Sequence, residues 1–490
     1  MLFSTWEFVI FLLLVLAGYY LVGRWRSGWQ AGLLIVASYF FYAWGEPWLI
    51  FLLLASTGLN TAVALYLLDH GRTSRSRWAM VSGAVVVNLA ILAFFKYAGL
   101  FAETFLSAGE WQKWGYHLSE IPLPIGISFF TFQGISLVVD VYRAGPDGIP
   151  GMRPPQTAEE RRALGRNIFL FKAFFPALIA GPIVKAHEFM HQIGEKRVGG
   201  IDWEDATTKL VSGYFFKMVV ADNLRDVTAM IDYPNFVGAP SFQLVLLLYA
   251  FSMQIFADFC GYSLIAMGLA RLFGYQLPVN FCYPYLSASL TEFWKRWHIS
   301  LSTWLKQYLY FPLGGNRKGA LRTYLNLFVV MFLGGLWHGA AWSYMIWGGV
   351  HGVLLALERL CHVRGEAARF DGGFWRGLGS ALRIFVVFSA VSLLWLLFKL
   401  PDFEHVKLYL AGIAALKPGL LPQPTFVIAL FSLPVILFHL YGLYREQLWE
   451  RLELSSPVVF YRAKMACVGL LLFLIISNSG MSGAFIYFQF

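Results

Sequence analysis

Two histidines in the stretch Thr291–Gly352 sit in settings that suit proton chemistry. His298 follows Lys295, Arg296 and Trp297 in the basic, aromatic segment TEFWKRWHISLSTWL. His338 lies in the apolar run FVVMFLGGLWHGAAW, where Gly334, Gly335, Gly339 and Ala340 leave room beside it. An imidazole, with an ordinary pKa of about 6.5, takes and returns a proton near neutral pH, and burial favours the neutral form that acts as a base. An ionisable side chain inside an apolar segment is functional by default. The purely structural alternatives are a histidine bridging two helices at 338 and an unremarkable interfacial histidine at 298.

The elements that must hold these residues follow from periodicity. From Phe293 to Tyr310, the bulky residues Trp294, Trp297, Leu301, Trp304, Leu305 and Tyr308 recur at steps of three or four, with Lys295, Arg296, Ser302 and Lys306 turned elsewhere. That pattern predicts one amphipathic helix lying in a membrane interface. The whole chain agrees with a membrane setting. Of its 490 residues 58% are hydrophobic and only 13% charged, and the mean hydropathy is +0.60, which excludes a soluble protein of this size. The Leu, Val, Phe and Ile runs lack the alternation of a barrel, so the spans are helical. Short polar breaks separate them, and the expectation is a single membrane-embedded domain over residues 1–490.

The net charge of +10 lies in breaks between spans and comes with no nucleic-acid motif. Orientation in the membrane and anionic lipid are its simplest explanations. Cys260, Cys282, Cys361 and Cys467 are scattered and form no C-x-x-C pair, so core packing is expected of them rather than a metal site or a disulfide framework. Near the N-terminus, Phe8–Val22 reads as a retained span with Arg24 and Arg26 on its cytoplasmic side. Ile125–Val141 carries Ser128, Thr131, Gln133 and Ser136 and should face the protein interior, while Phe169–Ile183, broken by Pro176 and Pro182, should enter the membrane and turn back. Gln254 and Asp258 lie one turn apart on an apolar helix, where a carboxylate must be paired, hydrated or protonated.

Read in order, PIGISFFTFQ, ALIAGPIVK, FFKMVVADNL, DFCGYS, NFCYPYL, TEFWKRWHISLSTWL, YFPLGGNRKG, GLWHGAAW and the terminal FIYFQF resemble the membrane-bound O-acyltransferases, in particular their bacterial alginate O-acetyltransferase branch. The chain departs from that branch at Leu264 and Gln307. The resemblance implies an all-α polytopic fold of roughly 11 transmembrane helices, with re-entrant and interfacial helices around a central cavity. It implies that His338 is the catalytic histidine and that His298 stands at the reaction chamber, supported by Trp337 and Asp258. Asp258 either orients a histidine or pairs with a buried cation. The implied donor is acetyl-CoA, with no metal, and the implied route crosses the bacterial inner membrane to an extracytoplasmic polysaccharide through a periplasmic or membrane-anchored partner of the SGNH type. Lys295, Arg296, Arg317, Lys318 and Arg322 suit the phosphates of coenzyme A, and positive-inside topology accounts for them equally. Two other readings stand beside this one: a transporter whose histidines carry protons, and an acyltransferase acting on peptidoglycan or lipid.

The concentration of basic residues between 295 and 322 predicts that this segment faces the cytoplasm. In an Asn316→Cys variant whose native cysteines are replaced, an impermeant thiol reagent should leave intact cells unlabelled at this position and label it once the membrane is opened. Labelling of intact cells reverses the orientation.

Overall fold

The computed structural model describes all residues except 24–26, 71–74, 107–122, 362–373, 420–423, 446–448, 481–482, 484 and 486–490. The expectations for Arg24 and Arg26, and most of the FIYFQF terminus, lie outside the described residues. Those described are helical, with no β-strand among them. Among the described residues, eight helices are long and apolar enough to cross a membrane, and Ser27–Ala43, Ile127–Ala144 and Trp342–Leu360 reach similar length with more polar sequences. The most apolar helices turn their side chains outward: no residue of Pro457–Asn478 is buried. For an element bathed in lipid this is the expected inversion of the soluble rule.

The chain divides into two compact units, Met1–Leu210 with Ile265–Pro278 and Val211–Leu264 with Val279–Phe490. The first contains α1 (Trp6–Gly23), α2 (Ser27–Ala43), α3 (Ile50–Asp69), α4 (Arg75–Phe105), α5 (Ile127–Ala144) and α6 (Ala158–Ala173). As expected of its polar content, α5 is buried without interruption from Ile127 to Val138. Asn60 on α3 and Asn88 on α4 exchange amide hydrogen bonds of 3.2 and 3.0 Å, which closes both polar groups on each other. Beyond α6 the chain turns once at Phe175–Leu178 and stays buried through Ala186, so the broken, irregular backbone is covered by protein, as membrane depth requires.

The second unit is built from the end of α7 (Trp203–Tyr214), then α8 (Asp222–Thr228), α9 (Ser241–Leu272, up to Leu264), α10 (Leu290–Arg296), α11 (Ile299–Leu305), α12 (Ala320–His338), α13 (Trp342–Leu360), α14 (Phe374–Lys399), α15 (Thr425–Tyr444) and α16 (Pro457–Asn478). Its organising pair is the antiparallel hairpin of α12 and α13. A Cβ on Gly335 would fall 2.2 Å from the Tyr344 carbonyl oxygen, and one on Gly348 would fall 2.2 Å from that of Met331. The two backbones therefore touch, the close approach that small residues permit between membrane helices. His338 is the last residue of α12, next to the short turn that closes the hairpin.

Two expectations need correction. Phe293–Tyr310 is not one interfacial helix: it breaks at Trp297 and His298 into α10 and α11, followed by a π-helical turn, Lys306–Tyr310. Trp297, Leu301, Trp304 and Leu305 are buried in protein, because the three- and four-residue spacing that suits an interface equally suits a helix packed against neighbours. Core packing of the cysteines holds only for Cys260; Cys282, Cys361 and Cys467 are exposed, since a thiol is apolar enough to stand on an outer surface.

The hairpin contact predicts that Gly348→Ala lowers the unfolding midpoint of the detergent-solubilised protein, by an overpacking cost of about 1–3 kcal/mol. Gly83→Ala, where a Cβ meets nothing within 4 Å, should leave it unchanged.

Candidate functional site

The break between α10 and α11 places one of the two histidines. His298 takes a left-handed backbone, φ 44° and ψ 54°, a conformation uncommon for side-chain-bearing residues, although histidine, like asparagine and aspartate, adopts it more readily than most. What holds it is Asn280. Its carbonyl oxygen accepts from the Ile299 N–H at 3.0 Å, and its side-chain oxygen accepts from the Ser300 N–H at 3.3 Å and the Ser300 hydroxyl at 2.6 Å. The amide nitrogen of Asn280 donates in turn to Ser263 at 3.1 Å. The opening N–H groups of α11 are thus satisfied by one asparagine. The start of α10 is fixed as firmly: Ser289 caps it, accepting from the Glu292 N–H at 3.1 Å, and the Glu358 carboxylate on α13 accepts from the Leu290 and Thr291 N–H groups at 2.5 and 2.9 Å. An anion there also suits the helix dipole.

His298 is fully buried and His338 nearly so. Their ring centroids lie 6.2 Å apart, so the two residues that the sequence placed in different surroundings converge on one chamber. Its walls are aromatic. Phe259 stands edge-on to His298 at 4.6 Å, while Trp347 and Phe398 stand edge-on to His338 at 5.3 and 5.2 Å. Trp337 packs against both imidazoles, at 6.0 Å from His298 and 5.1 Å from His338. Burial pushes the His298 imidazole down to about 3, because a cation cannot be solvated there; at neutral pH it is uncharged. His338 also lines a cavity of about 130 Å³, together with Leu301 and Leu305 of α11 and Val330, Met331 and Gly334 of α12.

Asp258 does not reach a histidine through any of these contacts; it forms a 2.7 Å ion pair with Lys217. Lys217 lies in a π-helical stretch, Phe215–Ala221, and also holds Asp222 at 2.8 Å, giving a buried triad on one face of a cavity of about 460 Å³. Of the basic residues, Arg296 pairs with Glu292 at 2.7 Å, and Lys295, Arg317, Lys318 and Arg322 are exposed. Arg317, Lys318 and Arg322 cluster at the start of α12, with Arg322 about 24 Å from His338 along the helix at 1.5 Å per residue. They are not part of the histidine chamber. Sequence reasoning did not single out Asn280, Lys217, Glu358 or Phe398. Two of these lay in segments that carried the resemblance, NFCYPYL and FFKMVVADNL, yet nothing local distinguishes a capping asparagine or a triad lysine from its neighbours.

Comparison with known proteins gives the same neighbourhood. Residues 166–400 match the sequence model of the membrane-bound O-acyltransferase (MBOAT) family. The probable alginate O-acetylase AlgI of Pseudomonas putida is 38% identical over 384 residues, covering 76% of this chain and 74% of that protein. Its counterpart in Pseudomonas aeruginosa is 36% identical over 415 residues, 82% and 73% of the two chains. A peptidoglycan O-acetyltransferase of Helicobacter pylori is 33% identical over 398 residues, 78% and 73%.

Removing the Asn280 side chain in Asn280→Ala deletes three hydrogen bonds of about 1 kcal/mol each. The unfolding midpoint should fall and proteolysis near residue 298 should accelerate, both well beyond the effect of Asn316→Ala in the exposed turn. Equal effects would remove Asn280 as the support of His298.

Proposed function

We propose, from the premise that this chain belongs to the membrane-bound O-acyltransferase family, that it is an O-acetyltransferase carrying acetyl from acetyl-CoA to a polysaccharide outside the cytoplasm. The observation that carries the reading is the pair of buried imidazoles 6.2 Å apart inside the segment that matches the family. Acetyl transfer needs a base at the attacking hydroxyl, stabilisation of the oxyanion and an exit for the thiol. His338 takes the hydroxyl proton as the oxygen attacks the thioester carbonyl. The carbon–sulfur bond then breaks, the ester forms, and the proton passes to the thiolate as free coenzyme A. His298, neutral and held by its break, orients donor or acceptor, and Trp337 and Phe398 keep water from the reacting carbon.

The surroundings support the donor side. The cavity that His338 helps to line is small and apolar, which suits a thioester arm carrying a small acyl group. The exposed Arg317, Lys318 and Arg322 lie at the other end of α12; there they suit the phosphates of coenzyme A at the cytoplasmic face of the inner membrane, with the thioester reaching inward. Lys295 and Arg296 lie nearer the chamber in sequence, and the pairing of Arg296 with Glu292 favours a structural task for it. On the acceptor side, the relatives that act on alginate and on peptidoglycan point to a cell-envelope polymer. An alginate-like exopolysaccharide is the acceptor we favour, reached through a periplasmic or membrane-anchored SGNH-type partner.

With protein reconstituted in vesicles, His338→Gln should reduce acetyl-CoA-dependent acetyl transfer by about 10²-fold or more while acetyl-CoA still binds, because glutamine fills much of the volume but cannot take the proton. Near-normal turnover of this variant would make His338 structural and sink the proposed role. His298→Ala should lose less.

A further inference from the structure

One buried histidine takes no part in the reaction above. His351 is fully buried on α13, and its Nδ1 accepts the Trp294 indole N–H at 3.3 Å. The two rings stand edge-on with centroids 5.1 Å apart, and Trp347 packs against both, at 4.9 Å from His351 and 5.7 Å from Trp294. The other imidazole nitrogen, Nε2, meets no partner among the described residues. An apolar side chain would fill this place without leaving a polar atom unmatched. What the histidine adds is an acceptor for one indole.

That indole belongs to the site. Trp294 and Trp347 both line the cavity that His338 lines, whereas His351 touches the two indoles and is outside that lining. At about 130 Å³, the cavity is close to the size that holds a single benzene, roughly 150 Å³. An acetyl group with its thioester sulfur fits such a space; a butyryl or hexanoyl chain asks for more. The helix behind Trp294 is held as well as its ring, because Glu358, two turns beyond His351 on α13, accepts from the amide groups at the start of α10. Trp294 is therefore tied to α13 both through its helix and through its side chain.

We propose that Trp294 limits the acyl group at His338 to about the length of acetyl, and that His351 is the positioning residue that holds the Trp294 indole against the cavity. The proposal rests on the reading of this cavity, given above, as the place of the acyl thioester. It makes donor selectivity a property of one hydrogen-bonded aromatic pair on α10 and α13.

Chain length is read with acetyl-, propionyl- and butyryl-CoA as donors. A methylene more or less in a hydrophobic pocket changes kcat/KM by about 10- to 200-fold, so the parent should use butyryl-CoA about 100-fold less well than acetyl-CoA. Trp294→Ala should narrow that gap to about tenfold or less, and Trp294→Leu takes its place if the alanine variant does not fold. His351→Leu should narrow the gap too, because it frees the indole to turn, whereas His351→Gln keeps an acceptor for the N–H and should restore the preference for acetyl. Active Trp294→Ala protein with the parent's acetyl-to-butyryl ratio overturns the role of Trp294. Identical ratios in the two His351 variants overturn that of His351.

A second measurement needs no turnover. In purified protein with Cys282, Cys361 and Cys467 replaced by serine, Ser302→Cys puts a thiol in the cavity lining. Its modification by methyl, butyl and hexyl methanethiosulfonates is followed with and without Trp294→Ala. The acceleration that Trp294→Ala produces should be at least about tenfold greater for the hexyl than for the methyl reagent. Equal acceleration at every chain length, or none, overturns the size limit. Parent protein with no acetyl-CoA turnover would refute the proposed reaction while leaving these labelling ratios as they are, so the two failures are separable.

Discussion

A backbone amide left without a partner in an apolar surrounding costs several kcal/mol, and the site is built around a place where the chain cannot avoid exposing such groups. To bring His298 inward the helix must stop at Trp297 and restart at Ile299, which opens a new set of N–H groups beside the chamber. Asn280 closes those of Ile299 and Ser300, and Glu358 closes those at the start of α10. The break is therefore a supported feature of the fold. It aims an imidazole at a point that a continuous helix would have faced with a different residue.

The same cost governs the ionisable groups. Lys217 and Asp258 are each affordable in a buried setting only because the other is there, and Asp222 completes the set. A buried pair of this kind adds little net stability, but losing one partner strands the other. It therefore acts as a constraint on the relative placement of the π-helical stretch Phe215–Ala221 and α9, and through α9 on Phe259, whose ring touches His298. Burial keeps His298 neutral, the state in which a histidine can accept a proton.

One helix, α12, joins the basic cluster to the site. Its first turns carry exposed Arg322, close to Arg317 and Lys318, and its last residue is His338. A single helix thus connects an exposed basic end with a buried histidine, and that histidine helps to line a small cavity beside the helix. The glycine contacts between α12 and α13 fix this helix axially, because two backbones in direct contact leave no side chain to yield.

Local sequence properties settled a good deal. Composition required a helical membrane protein, the polar content of α5 placed it inside, and an imidazole in an apolar run drew attention to His338. These are one-body properties, read from a residue and its neighbours within a few turns. What only the tertiary structure decided is pairwise and distant in sequence: His298 with His338, Lys217 with Asp258, Asn280 with Ser300, Glu358 with the start of α10. Periodicity could not foresee the break at His298, because the spacing of Trp294, Trp297, Leu301 and Trp304 continues through it. The left-handed residue there is held by a hydrogen bond from another segment, and such a bond has no signature in the strand of sequence that it bends.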